Sequence, residues 1–336
     1  MLNNSIDCHD LKPVLLESAP RVGGHAGLSR CVTSGRIYKP ILDWRGECER
    51  AFYELVAKTQ DADGILSPAC FIPRFYGVWH RTNEDDDDNN KTSWLVLNDV
   101  TAGSTLPCVM DIKLGSQTFA PDAGIVKAAR ELAKSDTAVA LGFRVTGFSL
   151  AEGTSRGRAE RSAVTVAAAH EPFAAFFNHS PHHPPVSTKA LSALLIRLES
   201  MKSWAEKNSS DFLFFGTSLL LFYDAAAAPN DGIISATLID FAHVWNRTGR
   251  LSQNCSSSSS SSSKNGKRDD DDHDDQRRLA VSLDFTRGLS NVIACVERVR
   301  NILIEKESHH HQDVLASLTT RVLEERTTPF EQWLDE

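Results

Sequence analysis

Three short segments carry residue types suited to moving a phosphoryl group. Pro107-Cys-Val-Met-Asp111-Ile-Lys113-Leu-Gly115 reads as a strand. Side chains alternate along a strand, so Asp111 and Lys113 share one face while Met110, Ile112 and Leu114 enter a core on the other. A carboxylate and an ammonium on a rigid strand could orient or deprotonate a hydroxyl and neutralise phosphate oxygens. On spacing alone, a surface ion pair on an edge strand is the more ordinary reading. In Ala236-Thr-Leu-Ile-Asp240-Phe-Ala-His243 an apolar strand stops at an aspartate. That arrangement delivers a carboxylate to magnesium beside nucleotide phosphates. His243 could donate to a phosphate, though a lone histidine more often serves as a structural hydrogen-bonding group. The third segment is Tyr38-Lys39-Pro40 followed by Glu49. A strand lysine steadied by a helical glutamate holds ATP phosphates in two-lobed kinases. Taken singly, such a lysine is an ordinary solvated one.

The elements that must position these groups follow from periodicity. RVGGHAGLSRCVTSGRIYKPI is broken by glycines into short β-type runs. RGECERAFYELVA, with Phe52, Leu55 and Val56 between charges, predicts a helix. FIPRFYGVW and TSWLVLNDV predict strands around the acidic run 84–88. Beyond Leu106 come the Asp111 strand, a helix in GIVKAARELAKS, a strand in LGFRVTGFSL and a capped helix in STKALSALLIRLESMKSWAEKN. Two further strands lie in DFLFFGTSLLLFYD and ATLIDFAHVW, and 279–336 is helical by pattern. The expected division is a flexible tail over 1–20, a small β-rich N-lobe over 21–105 with a hinge near 97–100, and a larger mixed C-lobe over 106–300. Residues 151–186 read as an irregular insert and 252–278, with its Ser and Asp tracts, as a disordered one. A helical extension follows over 301–336. The fold class is α+β, two-lobed, with a nucleotide between the lobes.

Composition agrees with a globular chain: 336 residues, 41% apolar and 24% charged. No secretory signal is evident, and the apolar stretch Phe212 to Tyr223 is too short to span a bilayer. Seven scattered cysteines without a C-x-x-C pair argue against a disulfide framework and for a reducing compartment. Setting aside the acidic runs 84–88 and 269–275 moves the net charge from −8 to +3, which permits a phosphate site. The P-loop G-x-x-x-x-G-K-[ST] and the H-R-D catalytic loop are both missing, which argues against P-loop NTPases and ordinary protein kinases.

Taken together and in order, these segments resemble the inositol polyphosphate kinase family, particularly its plant-type multikinases. Pro107, Asp111, Lys113 and Gly115 match its P-x-x-x-D-x-K-x-G signature, and Ile239 to His243 match its metal-binding I/V-D-F-A-H segment. Gly216-Thr217-Ser218-Leu219-Leu220 sits where the family has S-S-L-L, with Thr217 keeping a hydroxyl. The resemblance implies ATP and Mg2+ as cofactors and an inositol tris- or tetrakisphosphate as substrate. It assigns Lys39, steadied by Glu49, to the ATP phosphates, and Leu97, Asn98, Asp99 and Val100 to a hinge holding adenine. Asp240 and Ser218 are the implied metal ligands. Lys113, His243 and Arg45 are implied at substrate phosphates, with Asp111 catalytic as either base or orienter. Lys127, Arg130 and Lys134 share one helix face where the family builds its inositol phosphate wall. The short stretch Gln117 to Leu141 resembles a multikinase more than a trisphosphate 3-kinase; a hexakisphosphate kinase and a non-catalytic scaffold are the alternatives. No nucleic-acid partner and no membrane insertion are expected, and the chain is read as a cytoplasmic or nuclear monomer.

Overall fold

The computed structural model describes residues 16–18, 28–59, 68–81, 92–120, 123–133, 136–150, 155–156, 165–178, 185–208, 211–227, 234–246, 249–251 and 269–327. The N-lobe is a five-stranded antiparallel sheet. Its strands are β1 (Glu17–Ser18), β2 (Ser29–Cys31), β3 (Arg36–Ile41), β4 (Phe75–Arg81) and β5 (Thr92–Asn98), in the order β1-β2-β3-β5-β4. β3 and β5 are rich in aromatic and β-branched residues that suit a pleated, two-sided surface. One face carries Tyr38, Val96, Trp79 and Trp94. The opposite face turns Leu95 and Leu97 into the main core.

Helix α1 (Trp44–Thr59) wedges between that face and the C-lobe. Its Tyr53 stacks on Phe75 at 5.6 Å between ring centroids, and Phe52 stacks on Phe241 of the C-lobe at 4.3 Å. Such pairs contribute beyond their buried area, so α1 is held from both sides.

The C-lobe is built on a second antiparallel sheet. It comprises β6 (Pro107–Leu114), β7 (Phe143–Ser149), β8 (Ser155–Arg156), β10 (Ser218–Asp224) and β11 (Ser235–Ile239), ordered β11-β10-β6-β7-β8. A smaller sheet joins β9 (Leu213–Phe214), β12 (Val244–Asn246) and β13 (Gly249–Arg250). The helices are α2 (Ile125–Leu132), α3 (Asp136–Leu141), α4 (Glu171–Phe177), α5 (Thr188–Lys207) and α6 (Asp269–Thr327). Ser187 caps α5, its hydroxyl accepting from the Ala190 N–H at 3.1 Å. Leu191, Leu194, Leu198, Met201 and Trp204 of α5 are buried together with Phe285, Leu289, Val292, Val296 and Val299 of α6.

Four boundaries differ from expectation. In the tail expected over 1–20, Glu17–Ser18 pairs with Arg30 and Ser29, because the open edge of β2 offers unpaired backbone groups; residues 1–15 lie outside the described residues. The insert expected to be irregular over 151–186 contains β8 and α4. Phe173, Phe176 and Phe177 recur at helical spacing and are all fully buried, a pattern that the surrounding Ala, His and Pro obscure. The Asp run of the insert 252–278 forms the start of α6, where acidic residues suit the helix dipole; 252–268 lie outside the described residues. No break separates 301–327 from α6, so that part of the expected extension is the same helix; 328–336 lie outside the described residues. Within it, Leu279–His309 is the one described stretch long and apolar enough to cross a membrane. Its apolar side is buried with α5 in the core.

Phe176 packs edge-on against Tyr223 at 5.0 Å and Phe148 at 6.1 Å, and its carbonyl accepts the Tyr223 hydroxyl. Phe176→Ala is expected to cost about 3–5 kcal/mol in urea denaturation. An unchanged midpoint would return this segment to the status of a dispensable insert.

Candidate active site

β6 alternates as expected: Met110, Ile112 and Leu114 are fully buried in the core, and Asp111 and Lys113 point the other way. Register then brings distant residues alongside. Ser218 of β10 pairs with Lys113 on one side and with Ile239 on the other, so Asp240 follows directly at the same end of the sheet. On the opposite edge Arg144 of β7 pairs with Lys113. A bulge at Thr146 lets its hydroxyl donate to the Asp111 carbonyl at 3.1 Å, a local bend of the kind that re-aims side chains near sites.

Asp240 has φ +65°, the one positive value at a described residue other than glycine. Aspartate tolerates this left-handed region better than most residues, yet holding it there costs of order 1–3 kcal/mol. The turn aims its carboxylate across the cleft. Lys39 Nζ donates to Asp240 Oδ1 at 2.7 Å and to Glu49 Oε1 at 3.0 Å. Glu49 is 2% exposed, whereas Lys39 and Asp240 are 31% and 35% exposed, so the triad opens on the cleft from a buried root. Burial lowers the Lys39 pKa, but Asp240 and Glu49 outweigh it and the net shift is upward. Burial raises the Glu49 pKa, with Asp240 adding to the rise and Lys39 opposing it.

Asp111 is 6% exposed, and burial raises its pKa against the pull of Lys113, with Asp240 pushing the same way as burial. The Ser218 and Thr146 hydroxyls also act on this carboxylate, opposing the rise, and Asp111 Oδ1 and Ser218 Oγ are both withdrawn from water. Lys113 Nζ donates to the Gly216 carbonyl at 2.8 Å. Gly216 sits at φ +67°, and a Cβ there would come within 2.8 Å of the Thr118 carbonyl, so only glycine fits this crossing. Three oxygen-bearing side chains, Asp111, Ser218 and Asp240, thus converge beside two ammonium groups. Such a donor set suits a hard divalent cation with phosphate oxygens.

The family described as inositol polyphosphate kinase matches residues 94–279. The chain belongs to this family. Inositol polyphosphate multikinase beta of Arabidopsis thaliana is 30% identical over 250 residues, covering 66% of this chain and 80% of that protein. The human inositol polyphosphate multikinase is 26% identical over 195 residues, covering 55% of this chain and 44% of that one. The fold is that of inositol phosphate multikinase Ipk2 of S. cerevisiae, solved with ADP and Mn2+. That match has a TM-score of 0.53 at 18% identity and covers 78% of this chain and 98% of the other. Lys39 and Glu49 lie before the family match, yet Lys39 joins Glu49 to Asp240 inside it.

Other residues expected at the site of an inositol polyphosphate kinase are placed less simply. His243 packs against Trp44 at 5.3 Å, at the start of α1. Arg45 is exposed, and two of its guanidinium nitrogens donate to Asp43 Oδ2, so a phosphate contact requires exchanging that partner. In the hinge, Asn98 N–H donates to Arg74 O and Asp99 N–H to Gly35 O, each at 2.9 Å. The buried Asp99 carboxylate caps Thr101, so neither amide nor that side chain is open to adenine here. At the end of β5 these amides are thus taken by the backbone just before β4 and β3. Leu97 is buried in the core. Arg130 is exposed in the last turn of α2; the side chain of Lys127 and all of Lys134 lie outside the described residues. The residue missed from sequence is Arg144, held by Glu131 at 3.3 Å on the strand beside Lys113. Alternation in Phe143-Arg144-Val145 was the available signal.

Because burial raises the Asp111 pKa, its negative charge disfavours folding once pH exceeds the ordinary aspartate value of about 3.9. Asp111→Asn is therefore expected to raise the thermal midpoint at pH 7, with the gain shrinking as pH falls toward 4. A mutant less stable at every pH would refute this electrostatic account.

Proposed function

We propose that this chain is an inositol polyphosphate multikinase that transfers the γ-phosphate of ATP to free hydroxyls of inositol tris- and tetrakisphosphates. The observation that carries this reading is the meeting of Lys39, Glu49 and Asp240 across the lobes, one strand from Asp111 and Lys113. Asp240 and Ser218 are the residues to hold Mg2+, which when bound would neutralise charge on the phosphate oxygens. Lys39 binds ATP phosphates and Glu49 fixes its position. On the acceptor side, Lys113 and His243 contact substrate phosphates, with Arg45 joining by leaving Asp43. An inositol hydroxyl oxygen forms the new bond to the γ-phosphorus as the bond to the β-phosphate oxygen breaks, releasing ADP. Asp111 accepts the hydroxyl proton, a role its burial-raised basicity favours. Most of the acceleration comes from positioning and electrostatic stabilisation.

The substrate is a small soluble molecule, and the enzyme acts as a monomer without nucleic acid or membrane insertion. The setting is cytoplasmic or nuclear, a reading that rests on seven scattered cysteines without a C-x-x-C pair.

The test is chromatography of products from labelled ATP with tris-, tetrakis- and hexakisphosphate acceptors. Pentakisphosphate is the expected end product, and Asp240→Asn is expected to lower turnover by roughly a hundredfold or more, since metal-borne charge stabilisation is worth several kcal/mol. Pyrophosphate products from hexakisphosphate would favour a hexakisphosphate kinase, and no turnover of any acceptor would favour a scaffold.

A further inference from the structure

One face of α6 reaches the catalytic sheet from outside the family match and from the far side of residues 252–268. Asp284, Arg287, Gly288 and Asn291 recur at i, i+3, i+4 and i+7 and so line a single helix face. The Asp284 carboxylate accepts from the Ser116 N–H and, at 2.7 Å, from the Ser116 hydroxyl. Arg287 donates to Asp284 and to the carbonyls of Ala140 and Val139, the former at 2.9 Å. Asn291 donates to the Leu141 carbonyl at 2.9 Å. Between them Gly288 lies so close to Gly142 that an added Cβ would come within 2.1 Å of the Gly142 carbonyl oxygen, which itself accepts from Gly115 N–H at 2.7 Å.

These contacts converge on two turns. One follows the end of β6, two residues after Lys113; the other precedes β7, two residues before Arg144. Lys113 and Arg144 are register partners, so the α6 face grips both strands at the end where the two cations stand side by side. An ordinary anchor of a helix to a sheet would be met by apolar packing, which α6 already supplies through Phe285, Leu289 and Val292. The polar contacts do something further: they tie the backbone flanking each cation to a rigid element.

We infer that Asp284 is a positioning residue that sets the Lys113–Arg144 pair for an inositol phosphate, with Arg287, Gly288 and Asn291 completing the clamp. Arg144 thereby becomes a second cation of the acceptor site, released from Glu131 when a phosphate competes for it. This rests on the kinase reading above, in which Lys113 faces the acceptor rather than ATP.

The experiment compares wild type with Asp284→Ala and Asp284→Asn in steady-state kinetics and amide hydrogen exchange. In Asp284→Ala the KM for inositol trisphosphate is expected to rise about tenfold, as for loss of one charge-assisted hydrogen bond, with the KM for ATP unchanged. Asp284→Asn keeps an acceptor for Ser116 and is expected to recover part of that loss. Exchange at residues 115–118 is expected to accelerate in Asp284→Ala while β10 and α5 remain protected. Equal changes in both KM values, or unchanged exchange at 115–118, would overturn the inference. Should wild type turn over no inositol phosphate, the kinase reading fails, and the exchange pattern alone decides whether Asp284 holds this turn.

Discussion

The buried root of the Lys39 triad is the constraint on which the other parts depend. Glu49 is almost wholly withdrawn from water, and a carboxylate there is tolerable only with a partner at hydrogen-bond distance. Lys39 supplies that partner, and the Phe241 backbone adds a hydrogen bond to the same carboxylate. Since Lys39 also reaches Asp240, one ammonium ties a strand and a helix of the N-lobe to the strained turn of the C-lobe. The relative placement of the lobes and the geometry of the cleft are therefore set by the same contacts.

Apolar packing makes this ionic arrangement affordable. Phe52 stacks on Phe241, the residue immediately after Asp240, and Cys48 donates to the Val244 carbonyl. α1 is thus pinned at two points of the segment that follows Asp240, and Glu49 lies between its two anchoring residues. The twofold alternation of β6 works in the same manner. Three fully buried apolar side chains fix the strand against the core, and a one-residue slip would exchange them for Asp111 and Lys113. Register is strongly specified here, which lets Ser218, Lys113 and Arg144 line up across three strands.

Much of this was legible in the chain. The alternation around Asp111 and Lys113, the helix carrying Glu49 and the abrupt end of an apolar strand at Asp240 are local patterns, and each formed as read. α4 was not legible because its three phenylalanines sit among residues typical of loops, and burial against Phe148 and Tyr223 overrides that composition. At the hinge, only the folded chain reveals that the Arg74 and Gly35 carbonyls take the amides of Asn98 and Asp99. Arg45 carried the right charge in the right segment, but its neighbour Asp43 holds it.

Sequence by itself determined the family, the reaction class it implies and the residue types at the centre of the cleft, because motif spacing and strand periodicity are local properties. Tertiary structure alone decided that Lys39 spans to Asp240 over 201 residues, that Arg144 stands beside Lys113, and that α6 grips the turn after the signature through Asp284. Those contacts depend on sheet register and helix docking, which emerge only when hydrophobic faces far apart in the chain are buried against one another.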